Sequence, residues 1–304
     1  MAGRMSQRAW VLFVAISLLW GLPYLLIKVA IAELDPAVIV FARVGVSAAV
    51  LLPVAVAQGA LRKVTRRWGA VVALSVVEIA LPFLLIAYGE QHITSSLAGL
   101  LIAAAPLFIV LLALQFDHSE RAGGMRLFGL CLGFVGVVAL LGLQPGGDVL
   151  GLVGGAMVLL AALCYAAGAL LIKRVSDVPP VGSVAASLSI ATLWLVPVAA
   201  ANMPSSVPSG ATLLSLLALG LGCTALGFLV YFSLIAAAGA TRASLITYVN
   251  PAVAVALGVA ILNEPLTLAT LIGFGLIIVG CWLSTRTGVT PARERRLASA
   301  IQES

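Results

Sequence analysis

Along this chain the polar residues fall in short clusters, and the stretches between the clusters are apolar on every face of any helix drawn through them. Ten such stretches run over 9–30, 36–57, 69–89, 94–115, 125–143, 151–172, 182–201, 211–233, 243–263 and 267–285. Each approaches the about 20 residues with which an α-helix crosses the hydrocarbon of a bilayer. Their Leu, Ala, Val and Gly do not alternate with polar residues, as they would over the roughly ten-residue strands of a membrane β-barrel. Helices satisfy their own backbone polar groups in lipid, so they are the spanning element. The pattern predicts an all-α membrane protein with ten transmembrane helices.

Composition removes the soluble alternative. Of 304 residues, 62% are hydrophobic and only 9% charged, and the mean hydropathy is +1.18; a soluble particle of this size would expose apolar patches and aggregate. The cations are sorted as well as sparse. Under the ten-span count, 15 of the 17 Lys and Arg residues fall on one side, including Arg4, Arg8, Arg62, Arg66, Lys173, Arg242 and Arg286. The opposite loops at 90–93, 144–150, 202–210 and 264–266 contain neither Lys nor Arg. Cations near span ends stay cytoplasmic, so both termini are expected in the cytoplasm of a cell bearing this multi-pass protein in its plasma or bacterial inner membrane. Topology accounts for the net charge of +6 without a nucleic-acid partner. The first span follows Arg4 and Arg8 and ends in Ala30-Ile31-Ala32, yet its apolar run is too long for a signal-peptide core.

A duplication lies about 145 residues apart. Leu25-Leu26-Ile27-Lys28 recurs as Leu170-Leu171-Ile172-Lys173, and Ala80-Leu81-Pro82-Phe83-Leu84 as Ala225-Leu226-Gly227-Phe228-Leu229. Pro106 matches Pro251, while Leu127, Gly129 and Gly136 match Leu271, Gly273 and Gly280. Each copy holds five spans, an odd number, so the second must enter the membrane from the opposite side. The expected organisation is two inverted five-helix repeats at 1–147 and 148–286, then a cytoplasmic tail at 287–304. Inverted repeats are the architecture of secondary transporters, which rock one part against another around a midplane site.

The stretch from Ala225 to Leu283, with Ala243-Ser244-Leu245, Asn250-Pro251 and Asn263-Glu264-Pro265-Leu266-Thr267, resembles the second repeat of the EamA-like branch of the drug/metabolite transporter superfamily. Trp20-Gly21 and Arg43 sit where the first repeat of that family has its Trp-Gly and its Arg. The resemblance implies that spans one, three, four, six, eight and nine line a central cavity, and that the substrate is an amino acid, another metabolite or a drug. At the end of the first repeat His118-Ser119-Glu120-Arg121 stands where the second has Asn263-Glu264-Pro265, a departure from the repeated pattern.

Candidate site residues are those that hydrocarbon would reject. Arg43 and Glu78 lie inside spans, about 10 and 15 Å deep at 1.5 Å per residue, at depths close enough to pair. Their second-repeat counterparts, near Ser187 and at Cys223, are uncharged. Two readings stand: a structural ion pair, or a carboxylate facing a cavity where it meets a substrate amine or carries a proton. Pro23, Pro106 and Pro251 are expected helix breaks; Pro106 and Pro251 would free the carbonyls of Ile102 and Thr247. Gly168, the counterpart of Pro23, is expected to let span six bend at the same height. Ser244, Thr247, Tyr248 and Asn250 would form a polar wall beside Pro251, facing Ser95, Ser96 and Ala103-Ala104-Ala105. Trp20, Tyr24, Tyr88, Tyr165, Phe228 and Tyr231 are candidate aromatic lining.

Cys131, Cys164, Cys223 and Cys281 lie in spans as packing residues, and His92 and His118 lack partners for a metal. Neither metal nor cofactor is expected. No HExxH or GxSxG motif and no intramembrane Asp is present, which argues against an enzyme. The reading is a secondary transporter exporting small metabolites such as amino acids or drug-like compounds by alternating access. Its expected partners are a small-molecule substrate, lipid and protons as a candidate coupling ion, in a monomer or weak homodimer. A proton-coupled multidrug exporter, a non-transporting receptor and an assembly subunit are the alternatives. Cysteine labelling with impermeant reagents should find positions beside Arg66 and Lys173 inside and positions beside Asp148 and Ser206 outside; either pair on the wrong side removes the inversion.

Overall fold

The computed structural model describes residues 5–116, 124–142 and 149–285. Nine apolar helices in it are long enough to cross a bilayer and a tenth is slightly shorter. They are α1 (Gln7–Ala30), α2 (Pro36–Ala57), α3 (Ala60–Gly89), α4 (Ser95–Gln115), α5 (Gly124–Gly142), α6 (Val149–Val175), α7 (Pro180–Ala201), α8 (Gly210–Ala238), α9 (Ile246–Leu262) and α10 (Leu268–Thr285). The helix ends follow local chemistry. Ser6, Asp35, Thr94 and Ser209 each accept a backbone N–H of the first turn, at α1, α2, α4 and α8 respectively, filling donors that a helix start leaves open. Asn263, left-handed at φ 54°, closes α9, and the N–H of Glu264 then returns to the Gly258 carbonyl at 3.1 Å, the Schellman arrangement. Pro265 prevents the helix from continuing.

The packing obeys the duplication. Exchanging α1 with α6, α2 with α7, α3 with α8, α4 with α9 and α5 with α10 leaves the pattern of major contacts unchanged. Thus α3 packs on α6 as α8 packs on α1, α2 on α8 as α7 on α3, and α4 on α6 as α9 on α1, while α2–α7, α4–α9 and α5–α10 pair with their own counterparts. Among the described residues the loops segregate to two ends. At one end Glu33 accepts the Ser209 N–H at 2.7 Å and Asp35 accepts from the Tyr88 hydroxyl at 3.2 Å. At the other, Arg67 Nε meets Asp177 Oδ1 at 3.1 Å, beside a cavity of about 440 Å³ lined by Arg66, Trp68, Lys173 and Arg174. The cation-poor end is called the outer end below, as the distribution of Lys and Arg implies.

Lipid-like hydrocarbon offers no hydrophobic drive for helices to associate, so close packing of small residues must supply it. The α5–α10 pair shows this most directly. A Cβ added at Gly280 would lie 2.4 Å from the Gly133 nitrogen, and one at Gly136 would lie 2.7 Å from the Gly273 carbonyl oxygen. Gly136, Gly273 and Gly280 are among the duplicated glycines. Around the bundle, Leu18, Val138, Leu193, Leu214 and Ile272 are exposed, as residues facing lipid are, and Trp10, Trp68 and Trp282 are exposed near the basic end, where interfacial aromatics accumulate.

The structure changes two expectations about bends. α1 does break, into Gln7–Gly21 and Pro23–Ala30, but α6 runs as unbroken α-helix from Val149 to Leu171 through Gly168. α4 is interrupted at Ala103–Ala104, just before Pro106, whereas the corresponding interruption before α9 falls at Ser244–Leu245 and Pro251 lies within continuous helix. The Ala240–Ala243 turn and the Gly239 corner absorb the change of direction there. Gly280→Val should force α5 and α10 apart and cost about 1–3 kcal/mol, the usual range for overpacking. A melting temperature lowered by several degrees in detergent is the expected reading, and an unchanged one would show that the two backbones are not in contact.

Candidate functional site

Two helices widen into π-helical turns at matching heights, Ser75–Ala80 in α3 and Ala218–Leu226 in α8. Such turns inside α-helices are frequent at functional sites, because they shift carbonyls away from their regular partners. In α3 the Leu81 N–H reaches back to the Val76 carbonyl, and Pro82 contributes no N–H at all. In α8 the Gly227 N–H reaches the Gly222 carbonyl, five residues back. These turns hold the two duplicated positions that differ in charge: Glu78 in α3 and Cys223 in α8.

Other helices engage the backbone at the α8 turn. The indole Nε1 of Trp20 donates to the Cys223 carbonyl at 3.1 Å. Ser47 Oγ lies 2.9 Å from the Gly220 carbonyl, and Thr224 Oγ1 donates to the Leu219 carbonyl at 2.8 Å. Gly227 leaves the space that the indole occupies, since a Cβ there would lie 2.7 Å from Nε1. Trp20 is held in turn by Phe228 and Tyr231, with ring centroids at 5.8 and 4.8 Å. Gly21, next in the chain, brings α1 against Val253 and the Asn250 carbonyl of α9. The Trp-Gly pair thus docks α1 on both α8 and α9.

Arg43 is buried, with 8% of its surface exposed. Its Nε donates to Thr224 Oγ1 at 2.9 Å and its guanidinium carbon lies 3.9 Å from the centre of the Phe83 ring. Stacking on an aromatic face is a cation's alternative to a counter-ion. Glu78 and Arg43 make no ion pair. Glu78 Oε2 is buried without a hydrogen-bond partner, and it faces Gly168 of α6, where any Cβ would overlap it. Gly168 therefore makes room for a carboxylate in a straight helix. Tyr165, three residues earlier, is within electrostatic reach of both Arg43 and Glu78, as is Tyr24 of Arg43. The centre of the bundle accordingly holds Tyr24, Arg43, Glu78, Phe83, Tyr165 and Thr224.

The remaining candidates divide. Asn250 has a buried Oδ1 without a partner, while Tyr248 turns towards Cys281 and Thr285 of α10. Ser244 is exposed and Thr247 partly buried on either side of the interruption before α9. Tyr88 is bonded to Asp35 at the outer end, ten residues from Glu78 and so about 15 Å away along the helix. Ser95 and Ser96 face Gly258 of α9 and not the residues beside Pro251; both are tied at the outer end of α4 by Glu264, whose carboxylate accepts their N–H groups at 2.7 and 2.9 Å. His118 and Glu120 lie outside the described residues.

A profile of the EamA-like transporter family matches residues 7–142 and again 152–286. The chain belongs to the EamA-like transporter family. An uncharacterized transporter of Archaeoglobus fulgidus is 26% identical over 285 residues, covering 92% of this chain and 99% of its own. A probable amino-acid metabolite efflux pump of Salmonella typhimurium is 26% identical, with 92% and 95% covered, and an inner membrane transporter of Escherichia coli is 25% identical, with 89% and 88% covered. A crystal structure 21% identical superposes with a TM-score of 0.65 over 91% of this chain and 96% of that one, a likeness of fold. This EamA-like chain is a transporter, and the family's Trp-Gly and Arg positions are the residues that grip the α8 turn.

Sequence reasoning missed Thr224, the acceptor for Arg43, and the role of Gly168, because both pairings cross between repeats. It also missed Glu90, placed in an outer loop, which is fully buried. The signal was present: Glu90 directly follows an unbroken apolar run ending in Gly89. Gly168→Ala should lower stability by about 1–2 kcal/mol through its clash with Glu78, and a Glu78→Ala background should remove most of that cost. Thermal melts of the four-member cycle measure the coupling; additive effects would mean that the two residues do not touch.

Proposed function

We propose that this transporter exports small zwitterionic metabolites, amino acids above all, by alternating access around the cluster of Tyr24, Arg43, Glu78 and Tyr165, with both termini in the cytoplasm and residues 1–147 and 148–286 as its inverted halves. The observation that carries the reading is the separation of the two buried charges. Arg43 is held away from Glu78 by Thr224 and Phe83, and Glu78 presents an oxygen without a donor. A buried charge lacking a partner is costly, by several kcal/mol, so a cation and an anion kept apart inside one bundle suit a ligand that carries both opposite charges. The substrate carboxylate would meet Arg43 and its ammonium Glu78, with the free Asn250 Oδ1 as a second acceptor. The name of the Salmonella relative agrees with this class of cargo.

Alternating access follows from the broken elements. The π-turns of α3 and α8 and the interruptions in α1, α4 and before α9 lie on the helices expected to line the cavity. α5 and α10, with their interlocked glycines, form the frame. Glu78 can also carry a proton, and substrate and proton would then compete for one carboxylate, which couples them without further machinery.

The test is counterflow of radiolabelled amino acids in proteoliposomes containing only this protein. Glu78→Gln should abolish transport driven by a pH gradient. If counterflow survives, Glu78 carries the proton; if both are lost in a folded variant, it contacts the substrate. Persistence of both activities with only a lower melting temperature would make Glu78 part of the scaffold. Asn250→Ala should raise the apparent Kd by about fivefold to thirtyfold, the equivalent of the roughly 1–2 kcal/mol lost with one buried hydrogen bond, whereas Ala105→Ser should leave it unchanged. Equal effects at the two positions would overturn the assignment of the polar wall.

A further inference from the structure

At the outer end, the turn between α3 and α4 is gripped from two directions. Lys28, at the end of α1, donates through Nζ to the carbonyls of Glu90 and Ile93 at 2.6 and 2.9 Å. Glu264, in the loop after α9, accepts the N–H groups of Ser95 and Ser96 and the Ser96 hydroxyl. Lys28 thus neutralises the carbonyl end of α3 and Glu264 the amide end of α4, where cations and anions respectively are favoured. The Glu264 contact joins the second half of the chain to the first. Gly258 makes it possible, since a Cβ there would overlap Ser96 Oγ and Glu264 Oε2.

Between these two clamps lies Glu90, with 0% of its surface exposed and neither carboxylate oxygen hydrogen-bonded. The hydroxyl of Ser95, five residues on, is also buried and without a partner. The charged and titratable groups that face Glu90 are Lys28 and Tyr24 from α1, Arg43 from α2 and Glu264 from the α9–α10 loop. None is within ion-pair distance of it, and His92, in the same turn, is exposed. A carboxyl group packed this way fits as the neutral acid. Once ionised it needs water or donors, and the cation facing it from α1 is the ammonium of Lys28, two of whose three N–H groups already serve the turn.

We propose that Glu90 is a proton-binding site that governs the outer gate. Protonated, it is accommodated in the closed turn, with Lys28 and Glu264 both engaged. Loss of its proton to the outer solution leaves a carboxylate that competes for Lys28, drawing it from the Glu90 and Ile93 carbonyls, and repels the carboxylate of Glu264, loosening its hold on Ser95 and Ser96. Both clamps then weaken together and the α3–α4 turn separates from the α9–α10 loop, admitting water. Reprotonation from outside reverses the sequence, so each closure takes up one proton. The inference rests on the transport reading for its purpose but not for its measurement, because gate opening can be read with no substrate present.

The experiment places a single cysteine at Ala98, fully buried one turn beneath the Glu264 contact, in a chain whose Cys131, Cys164, Cys223 and Cys281 have been replaced. Labelling in right-side-out vesicles by an impermeant maleimide is measured against outer pH. It is expressed relative to a cysteine at the exposed outer position Asn202, which removes the intrinsic pH dependence of the reagent. The ratio should rise with pH, by up to about tenfold per unit where one proton is released on opening. In Glu90→Gln it should stay low and flat; in Glu90→Asp the slope should persist with a shifted midpoint. Glu264→Gln should raise the ratio at every pH and keep the slope. A flat ratio in the parent chain overturns the proposal whatever the variants do, as does a slope that survives Glu90→Gln or disappears only in Glu78→Gln. Loss of counterflow with the slope intact would instead count against the transport reading.

Discussion

A helix in hydrocarbon cannot abandon a backbone hydrogen bond unless something else in the protein takes it up, and this constraint organises the chain. Bonds are abandoned at corresponding places in the π-turns of α3 and α8, and at offset places in the interruptions in α4 and before α9. At each such place another helix must approach closely with a suitable polar group, or the carbonyl must face a water-filled space. Trp20 and Ser47 serve the α8 turn, and Ser187 of α7 donates to the Val71 carbonyl one turn before the α3 widening. The irregular segments determine which helices touch and how near they come. The long regular stretches do not.

The two halves share a backbone plan and differ in side-chain chemistry. Glu78 against Cys223 and Pro23 against Gly168 each replace a group at one position of the plan with one of different chemistry. Glu78 could not sit in α3 unless α6 were open at Gly168, and the straight helix that Gly168 permits is what distinguishes α6 from the broken α1. Duplication supplied two equivalent cradles; substitution made one of them charged. On the proposed reading, the symmetric frame rocks between equivalent arrangements while the asymmetric lining selects the cargo.

The spans, the duplication and the family resemblance were legible because each is a periodic or local property: runs of apolar residues and recurring short motifs. Span three was drawn to begin at 69 although helical structure starts at Ala60, since Arg62, Lys63, Arg66 and Arg67 read as a loop. The inner geometry was less legible. Arg43 and Glu78 stood at compatible depths, yet depth along a helix says nothing of azimuth, and Thr224, 181 residues from Arg43 in the chain, captured the guanidinium first. Gly168 looked like a hinge because glycine's freedom is visible in sequence, whereas the atom it makes room for is not. Glu90 and Glu264 were read as loop residues because their neighbours are polar, although the turn they serve is buried by helices from elsewhere.

The sites fall at two heights, and that arrangement bears on coupling. Glu78 sits in the π-turn at the centre and Glu90 at the end of the same helix, twelve residues further on, about 18 Å at 1.5 Å per residue. Arg43 and Tyr24 are within electrostatic reach of Glu90, and Tyr165 of both Arg43 and Glu78. A change of charge at Glu90 is therefore felt by that guanidinium. Arg43 is anchored by one hydrogen bond and one ring face rather than by a counter-ion, so its position answers to whichever negative charge is present, be it a carboxylate of the protein or one belonging to a bound molecule. A cation fixed in an ion pair would have been insensitive to both. Leaving Arg43 without a counter-ion costs stability, and the return is a central charge within electrostatic reach of the outer turn that, on the proposed reading, also stays open to a ligand's carboxylate.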